Sequence, residues 1–248
     1  MTEIDAASAE LYGYGTTGIT ERDLPGGVAE LEAFFDARFD EGPEFGRYSP
    51  KWREHASEAW VDPFAPLPVG QRLFLVPDWR DDPVPEGRLR LTVYARQASG
   101  SGYQSATQMA LEALERHMLP SDRFLDVGTG SGILSAAARL LGSGPRFACD
   151  VDLEALGEAR RNQTPAHLFG GSARSVASGS VDLVAANLNA EALISLEGEL
   201  LRVLAPGGRL ILSGFKARSL ESLAAAFPAE VAECLESGPW RAVVLRKR

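Results

Sequence analysis

The stretch FLDVGTGSGIL, residues 124–134, decides the fold class of this chain. FLDV predicts a short apolar strand, and GILSAAARLLG predicts a helix that Gly142 ends. Between them stand glycines at positions 128, 130 and 132. Because glycine lacks a Cβ and adopts positive φ, such a turn brings the N–H groups of a helix start close to a ligand. A plain tight connection uses the same residues, so the surrounding sequence has to decide between a binding loop and a simple turn.

Short strands and helices alternate through the rest of the C-terminal two thirds of the chain. Further strands are predicted at RLRLTVYA (88–95), RFACDVD (146–152), SVDLVAAN (180–187), RLILSGF (209–215) and WRAVVLR (240–246). Helices are predicted at TQMALEALERHM (107–118), LEALGEARRN (153–162) and along the leucine stripe of residues 193–204. This alternation predicts βαβ units, and therefore an α/β fold with a doubly wound, mostly parallel sheet.

The first third of the chain has a different composition. Residues 50–79 interleave aromatic residues with prolines, a pattern that excludes a long helix. VAELEAFFDARF, residues 28–39, fits a helical period, and a strand through LEAFF fits nearly as well. We therefore predict a small N-terminal α/β region at residues 1–50, a linker at 51–87 and the sheet-forming domain at 88–248.

Composition and charge exclude several classes of function. The 248 residues are 45% hydrophobic and 24% charged, as in ordinary globular domains. The net charge of −9 disfavours a direct nucleic-acid partner and suits a basic protein partner. Two cysteines and three scattered histidines offer no metal site, and no apolar run is long enough for a membrane helix. Since the acidic N-terminus also lacks signal-peptide features, we expect a protein of the reducing cytoplasm without a membrane partner.

Three polar or glycine-rich features fall at the carboxyl ends of predicted strands, where ligands bind in such sheets: Gly128–Gly132, Asp150 and Asn187. The dinucleotide fingerprint G-x-G-x-x-G requires glycine where this chain has Ile133, and the G-K-[ST] of a phosphate loop is absent from the sequence. What remains is D-x-G-x-G-x-G, starting at Asp126, followed by an acid at the next strand end. A carboxylate there can accept hydrogen bonds from both hydroxyls of a ribose. Taken singly, Asp126 as a helix cap and Asp150 as a solvated strand end remain open alternatives.

This pattern resembles that of the S-adenosylmethionine-dependent methyltransferases. ANLNA at 186–190, with DLV before it and PGGRLILSG after it, resembles the ANILA…PGGRLILSG signature of the ribosomal protein L11 methyltransferase family. An upstream series of spaced residues resembles the same family in the same order: Trp52, Trp60, Phe64, Pro66, Gly70, Arg72, Val76, Pro77 and Trp79. The resemblance covers about residues 52–248, and its upstream part is the specific one.

The resemblance implies S-adenosylmethionine as cofactor, methyl transfer to an amine of a protein, and ribosomal protein L11 as a candidate partner. The residues it implies for cofactor binding are Thr107, Asp126, Gly128, Thr129, Gly130, Gly132, Asp150, Val151, Ser172 and Asn187. Asn187 is also the candidate catalytic residue, because its amide oxygen can hold the attacking amine in line. Capping of the following helix is its alternative role. Because the leaving group departs as a neutral thioether, the reaction depends mainly on alignment, and no general base is identified.

Two departures from the family pattern concern the methyl acceptor. The family loop AFGTGTHPTT reads ASGSGYQSAT at residues 98–107, so Gln104 replaces the histidine while Gly100, Gly102 and Thr107 are retained. In the N-terminal region only residues 11–23 resemble the family's substrate-recognition domain. We therefore expect cofactor binding but weak methylation of L11 compared with a member that carries the histidine. A methyltransferase for another protein or small molecule and a non-catalytic cofactor-binding scaffold remain alternatives, whereas the glycine spacing disfavours a nicotinamide oxidoreductase.

Overall fold

The computed structural model of the chain describes residues 6–8, 10–11, 14, 16, 18–24, 28–35, 62, 64–94 and 102–248. Trp52, Trp60 and Gly100 lie outside these residues. The chain divides into two compact units, Met1–Ala59 and Trp60–Arg248. In the first unit, β1 (Gly18–Leu24) pairs antiparallel with β2 (Val28–Phe34). The described part of the 28–39 stretch is therefore a strand, and the helical interpretation of it is wrong.

A small sheet opens the second unit. It contains β3 (Leu67–Val69), β4 (Leu73–Pro77) and β5 (Leu89–Val93), with β3 and β4 antiparallel and β4 and β5 parallel. The predicted linker at 51–87 is thus interrupted by two paired strands, which bury Val69, Leu73, Leu75 and Val76. RLRLTVYA does form a strand, but β5 belongs to this small sheet and not to the main one.

The main sheet has seven strands in the order β11-β12-β10-β9-β6-β7-β8. They are β6 (Phe124–Val127), β7 (Arg146–Asp150), β8 (His167–Gly170), β9 (Val181–Asn187), β10 (Leu204–Lys216), β11 (Glu230–Ser237) and β12 (Trp240–Arg246). Strands β6 to β10 run parallel, while β12 pairs antiparallel with both β10 and β11. The predicted mostly parallel α/β sheet is confirmed.

Helices connect the strands of the main sheet. They are α1 (Ser105–His117), α2 (Ile133–Leu141), α3 (Leu153–Arg161), α4 (Ala190–Ser195), α5 (Glu197–Val203) and α6 (Leu220–Ala226). Gly142 ends α2 in the left-handed conformation, with φ 96°. None of the helices in the described part of the chain has the length and apolarity required to span a bilayer.

Both faces of the main sheet are buried, as the near-continuous apolar strands require. Phe124 and Leu183 belong to the hydrophobic cluster that also contains residues of α1, α2 and the small sheet. Their chain neighbours Leu125 and Val184 belong to a second cluster, with residues of α4, α5 and α6. Because successive residues of a strand point to opposite faces, β6 and β9 each contribute to both clusters, whereas β7 contributes to the second one. The parallel pairing of β6 with β7 and with β9 holds their carboxyl ends side by side.

Three further elements, all associated with the main sheet, differ from the sequence-based prediction. The single helix expected over residues 193–204 is two helices that meet at Leu196, and Leu204 already belongs to β10. The edge strands β8 and β11 were not predicted. At β8 only four residues are paired, and most residues of β11 are exposed, so neither strand shows the apolar pattern of a buried strand.

Candidate active site

A cleft of about 710 Å³ opens at the carboxyl ends of β6, β7 and β9. Five of the predicted site residues line it, namely Gly128, Thr129, Gly130, Asp150 and Asn187. They come from three separate strand ends, which the parallel pairing of β6 with β7 and with β9 brings together. The cleft thus lies at the edge of the sheet where ligands bind in folds of this kind.

The glycine loop between β6 and α2 has the backbone conformation expected from its sequence. Gly128, Gly130 and Gly132 have φ values of 72°, 52° and 85°, in the left-handed region that favours glycine. The N–H groups of Gly128 and Thr129 donate to the carbonyl oxygen of Cys149 at 2.9 and 3.0 Å. Gly132 does not line the cleft. It precedes α2, and a Cβ at this position would collide with the Thr164 side chain.

Asp126 lies beneath the loop and is fully buried. Its Oδ2 accepts from the Thr129 hydroxyl at 2.9 Å, and from the Ser135 hydroxyl and N–H at 2.9 and 3.2 Å. Burial raises the pKa of Asp126 to about 6, against the opposing effect of the Ser135 and Thr129 hydrogen bonds. Oδ1 has no hydrogen-bond partner among the described residues. Asp126 thus ties the loop to the first turn of α2 and keeps one buried acceptor open.

Asp150 stands at the end of β7 and faces the glycine loop. Its Oδ2 accepts from the Gly130 N–H at 3.0 Å, and its Oδ1 accepts from the Asp152 N–H at 3.0 Å. Since each carboxylate oxygen accepts more than one hydrogen bond, both oxygens retain capacity for a ligand. The solvated-strand-end alternative is wrong, because the carboxylate holds the loop and lines the cleft.

Asn187 closes β9, and its side chain is held from within the protein. Its Nδ2 donates to Thr107 Oγ1 at 3.1 Å. The capping alternative for Asn187 is wrong, because Asn189 is the residue that caps α4 and accepts from the Ala192 N–H at 2.9 Å. Thr107 is fully buried and does not line the cleft, although the sequence analysis expected it to contact the cofactor.

The two remaining predicted residues also lie outside the lining of the cleft. Val151 follows Asp150 directly and is 79% exposed. The Ser172 side chain accepts from the Arg174 N–H at 3.4 Å and thereby caps a short 3-10 turn after β8. Both residues stand at the same edge of the sheet as the cleft, but the structure brings neither into its wall.

Most residues that line the cleft were not predicted from the sequence. The further lining residues are Gln104, Ser105, Ala106, Ile133, Leu134, Asp152, Glu154, Ala155, Glu158, Leu188, Asn189, Gly214 and Trp240. Gln104 had been singled out only for its place in the altered loop, and Trp240 reaches the cleft because β12 pairs antiparallel beside β10. Among the described lining residues four are carboxylates and none is basic. Glu158 is buried, and its Oε1 has no partner within the described part of the chain.

The walls of the cleft therefore favour a ligand that carries positive charge. Among the described residues, no group of three or more His, Cys, Asp or Glu side chains is arranged to hold a metal ion.

Comparisons with known proteins agree with this geometry. The sequence profile of the family described as Ribosomal protein L11 methyltransferase (PrmA) matches residues 49–248. A ribosomal protein L11 methyltransferase of Ralstonia nicotianae is 35% identical over 196 residues, and the match spans 77% of this chain but only 64% of that protein. One of Pelobacter propionicus is 32% identical over 244 residues, spanning 92% of this chain and 79% of that protein.

The same similarity is found among solved structures. The crystal structure of ribosomal protein L11 methylase from Lactobacillus delbrueckii subsp. bulgaricus superposes with a TM-score of 0.68 at 29% identity. The superposition covers 74% of this chain and 99% of that one.

Proposed function

Because the chain belongs to the ribosomal protein L11 methyltransferase family, we propose that it transfers a methyl group from S-adenosylmethionine to an amine of a protein. The observation that carries this proposal is the cleft itself, in which the glycine loop, Asp150 and Asn187 meet at one sheet edge. Ribosomal protein L11, the substrate in the names of the relatives, is the first acceptor to test. The free thiols Cys149 and Cys234 support a cytoplasmic location.

The residues of the cleft fit this cofactor. The volume of about 710 Å³ lies within the range of small-molecule sites. Asp150 presents a carboxylate to ribose hydroxyls, while Gly128 and Gly130 let a ligand approach the backbone closely. Asp126 does not line the cleft, so we propose that its open Oδ1 acts as an acceptor for the amino group of the methionine part only through a water. The acidic wall complements a cofactor whose sulfur is cationic.

In the reaction the cofactor supplies a methyl group on a sulfonium, and the protein supplies alignment. Such alignment is worth about 7–11 kcal/mol in favourable cases. Asn187 lines the cleft, and its Oδ1 can accept an N–H of the attacking amine, so that the nitrogen lone pair points at the methyl carbon. The amine attacks as the neutral species, and its proton is lost to solvent or to the acceptor protein's own groups.

We propose different roles for the two units, cofactor binding for one and acceptor recognition for the other. All the described residues that line the cleft come from the second unit, Trp60–Arg248. We assign cofactor binding to this unit, and within it to residues 88–248. Residues 1–50 are proposed to contribute to acceptor recognition.

The test is a side-by-side assay of this enzyme and a family member that carries the loop histidine, on the same purified L11 with radiolabelled cofactor. Calorimetry with S-adenosylhomocysteine runs in parallel. Binding together with transfer to L11 supports the proposal. Failure to bind S-adenosylhomocysteine would contradict it, since every assigned role in the cleft depends on the cofactor.

A second candidate, methylation of a different acceptor, is favoured by Gln104. This residue lines the cleft at the position where the family loop has histidine. Glutamine carries no charge, whereas histidine titrates near neutral pH. Cofactor binding with weak transfer to L11 would favour this candidate, and mass spectrometry of proteins labelled in a cell extract would then identify the acceptor. Binding without any labelled protein would indicate a scaffold.

A further inference from the structure

Lys216 stands at the sheet edge where the cleft opens. It is the last residue of β10, and the parallel pairing of the central strands places the carboxyl end of β10 beside those of β6, β7 and β9. Three residues earlier in the same strand, Ser213 lies opposite Asn187. Gly214, between Ser213 and Lys216, lines the cleft. Lys216 therefore ends the strand that passes beside the candidate catalytic residue.

The Lys216 ammonium contacts an aromatic side chain of the cleft wall. Trp240 begins β12 and lies opposite Lys216 in the antiparallel pairing of β10 with β12. The Lys216 Nζ lies over the Trp240 ring, 5.6 Å from its centroid. At this distance the ring attracts a cation. Since Trp240 also lines the cleft, the amine rests against a side chain that faces the site of methyl transfer.

The contact with Trp240 leaves the amine free to move. Lys216 is exposed, and within the described part of the chain no carboxylate forms an ion pair with it. A cation–π contact at an exposed site is weak, and the lysine stem is flexible. The described lining of the cleft carries four carboxylates and no basic residue, so it attracts a cation. The amine can therefore leave the ring and enter the cleft.

We propose that Lys216 is a methyl acceptor of the protein's own cleft, so that the enzyme methylates itself. The inference rests on the proposed methyl transfer. The Lys216 ammonium first loses a proton to solvent, and the neutral Nζ then attacks the methyl carbon of the sulfonium. A C–N bond forms while the C–S bond breaks, and the electron pair of the C–S bond returns to sulfur. The products are methylated Lys216, which is again a cation, and the neutral thioether S-adenosylhomocysteine.

Two physical effects favour this acceptor. An amine attached to the same chain is present at a high effective concentration, whereas a separate acceptor protein has to be captured first. Methylation keeps the positive charge of lysine, so the product can return to the Trp240 ring.

Lys247 is the matched comparison within the same strand pair. Its Nζ donates to the Leu204 carbonyl oxygen at 2.7 Å. Leu204 is the first residue of β10, so this amine lies at the opposite end of the strand from Lys216. Lys51 is the third lysine of the chain. With three lysines in the sequence, a methyl group can be assigned to its residue without ambiguity.

The experiment locates the methyl group by mass spectrometry. Purified full-length protein, with no acceptor added, is incubated with S-adenosylmethionine whose methyl group carries a stable isotope. The isotope distinguishes new methyl groups from any acquired during expression. The pH is mildly alkaline, so that more of the amine is neutral. Lys216→Arg and Lys247→Arg are compared with the wild type, and Asp150→Asn serves as the variant with weakened cofactor binding. Calorimetry with S-adenosylhomocysteine is run on the same preparations.

We expect the label on Lys216 to exceed that on Lys247 by about tenfold or more. The label should be lost in Lys216→Arg, unchanged on Lys216 in Lys247→Arg, and acquired more slowly in Asp150→Asn. The labelled fraction at a given time should not depend on protein concentration, because the amine and the bound cofactor belong to one molecule.

Two results would overturn the inference. The first is absence of label on Lys216 in protein that binds S-adenosylhomocysteine. The second is a labelled fraction that rises in proportion to protein concentration, since the amine would then enter the cleft of another molecule. Transfer to L11 without label on Lys216 would leave the proposed function standing and the inference wrong. Failure of the wild-type protein to bind S-adenosylhomocysteine would contradict the proposed function, and with it the source of the methyl group.

Discussion

Asp150 is the carboxylate of the cleft that we propose accepts the ribose hydroxyls of the cofactor. We expect Asp150→Asn to raise the Kd for S-adenosylhomocysteine about ten- to a hundredfold. Asparagine can still accept from the Gly130 N–H through its oxygen, but it loses the negative charge. Hydrogen bonds to charged groups contribute about 1.5–3 kcal/mol each. Calorimetry at neutral pH measures the change.

The matched control for this prediction is Asp81→Asn. Asp81 is a fully exposed carboxylate that stands 4.0 Å from Arg90 and is not part of the cleft lining. It should bind the ligand like the wild type. If both variants bind equally well, the ribose assignment of Asp150 is wrong.

Asp126 predicts a pH dependence of stability. Its pKa is raised from 3.8 to about 6 in the folded state, so between these values the folded protein binds more protons than the unfolded chain. The free energy of unfolding therefore falls as pH rises from about 4 to about 6. Above pH 6 the loss reaches its full value of about 3 kcal/mol. Asp126→Asn cannot ionise, so its stability relative to the wild type should increase over this pH window, as measured by urea unfolding.

Asp182 gives a pH dependence of stability opposite to that of Asp126. Arg123 lowers the pKa of Asp182 from 3.8 to about 2, so Asp182 contributes stability at neutral pH that is lost as pH falls through that range. Asp182→Asn should therefore be less stable than the wild type at pH 7 and approach it in acid. For Asp126, the contradicting outcome is a free energy of unfolding that depends on pH in the same way in the wild type and in Asp126→Asn. Such a result would count against a buried charge at this position.

At the scale of elements, Glu115 joins α1 to the turn between β3 and β4. Its Oε1 and Oε2 accept from the N–H groups of Gln71 and Arg72, both at 2.9 Å. Glu115→Ala leaves both donors without this partner, and we expect it to lower the free energy of unfolding by about 1–3 kcal/mol. Denaturant unfolding monitored by circular dichroism measures the loss.

Glu112 on the same helix is the control for Glu115. It forms only a surface ion pair with Arg116 at 3.0 Å, four residues along the helix. Such pairs contribute about 0.3–0.5 kcal/mol, so Glu112→Ala should be nearly neutral. Equal effects of the two substitutions would show that the Glu115 hydrogen bonds do not stabilise the contact between α1 and the small sheet.

The predictability of each element follows from its burial. FLDV and SVDLVAAN were predicted correctly because strands buried on both faces are continuously apolar. The strands of residues 67–77 were missed because proline is a strong breaker signal, yet Pro68 and Pro77 stand in short strands of a three-stranded sheet. Sequence period alone could not identify β11, whose exposed glutamates resemble those of a loop.

At the scale of the whole molecule, the second unit should bind the cofactor alone. We expect the fragment of residues 60–248 to bind S-adenosylhomocysteine within about threefold of the full chain, since all the described lining residues belong to it. Transfer to a protein acceptor should fall, because acceptor recognition is assigned to the first unit. Calorimetry and the labelling assay on both proteins test this division. A folded fragment without affinity would show that residues 1–59 complete the cofactor site.

Site residues could be predicted where their place follows from the neighbouring sequence. Gly128 and Asp150 stand directly at strand ends, so the order of residues along the chain located them. Trp240 and Gly214 join the cleft through the pairing of β10 with β12 and β9, which depends on the whole sheet. For the same reason the hydrogen bond between Thr107 and Asn187, which spans 80 residues, could not be predicted from the sequence.

Because the glycine loop is hydrogen-bonded to the end of β7, local opening of this region can be followed by the rate of cysteine labelling. Cys149 accepts the loop's N–H groups at its carbonyl, its thiol is fully buried, and burial raises the thiol pKa to about 12. A thiol reagent can modify it only when this strand end opens, so its labelling rate reports the opening free energy, while exposed Cys234 serves as the immediate reference. S-adenosylhomocysteine should slow the reaction at Cys149 and leave Cys234 unchanged. Equal rates at the two thiols would mean that the loop is never closed.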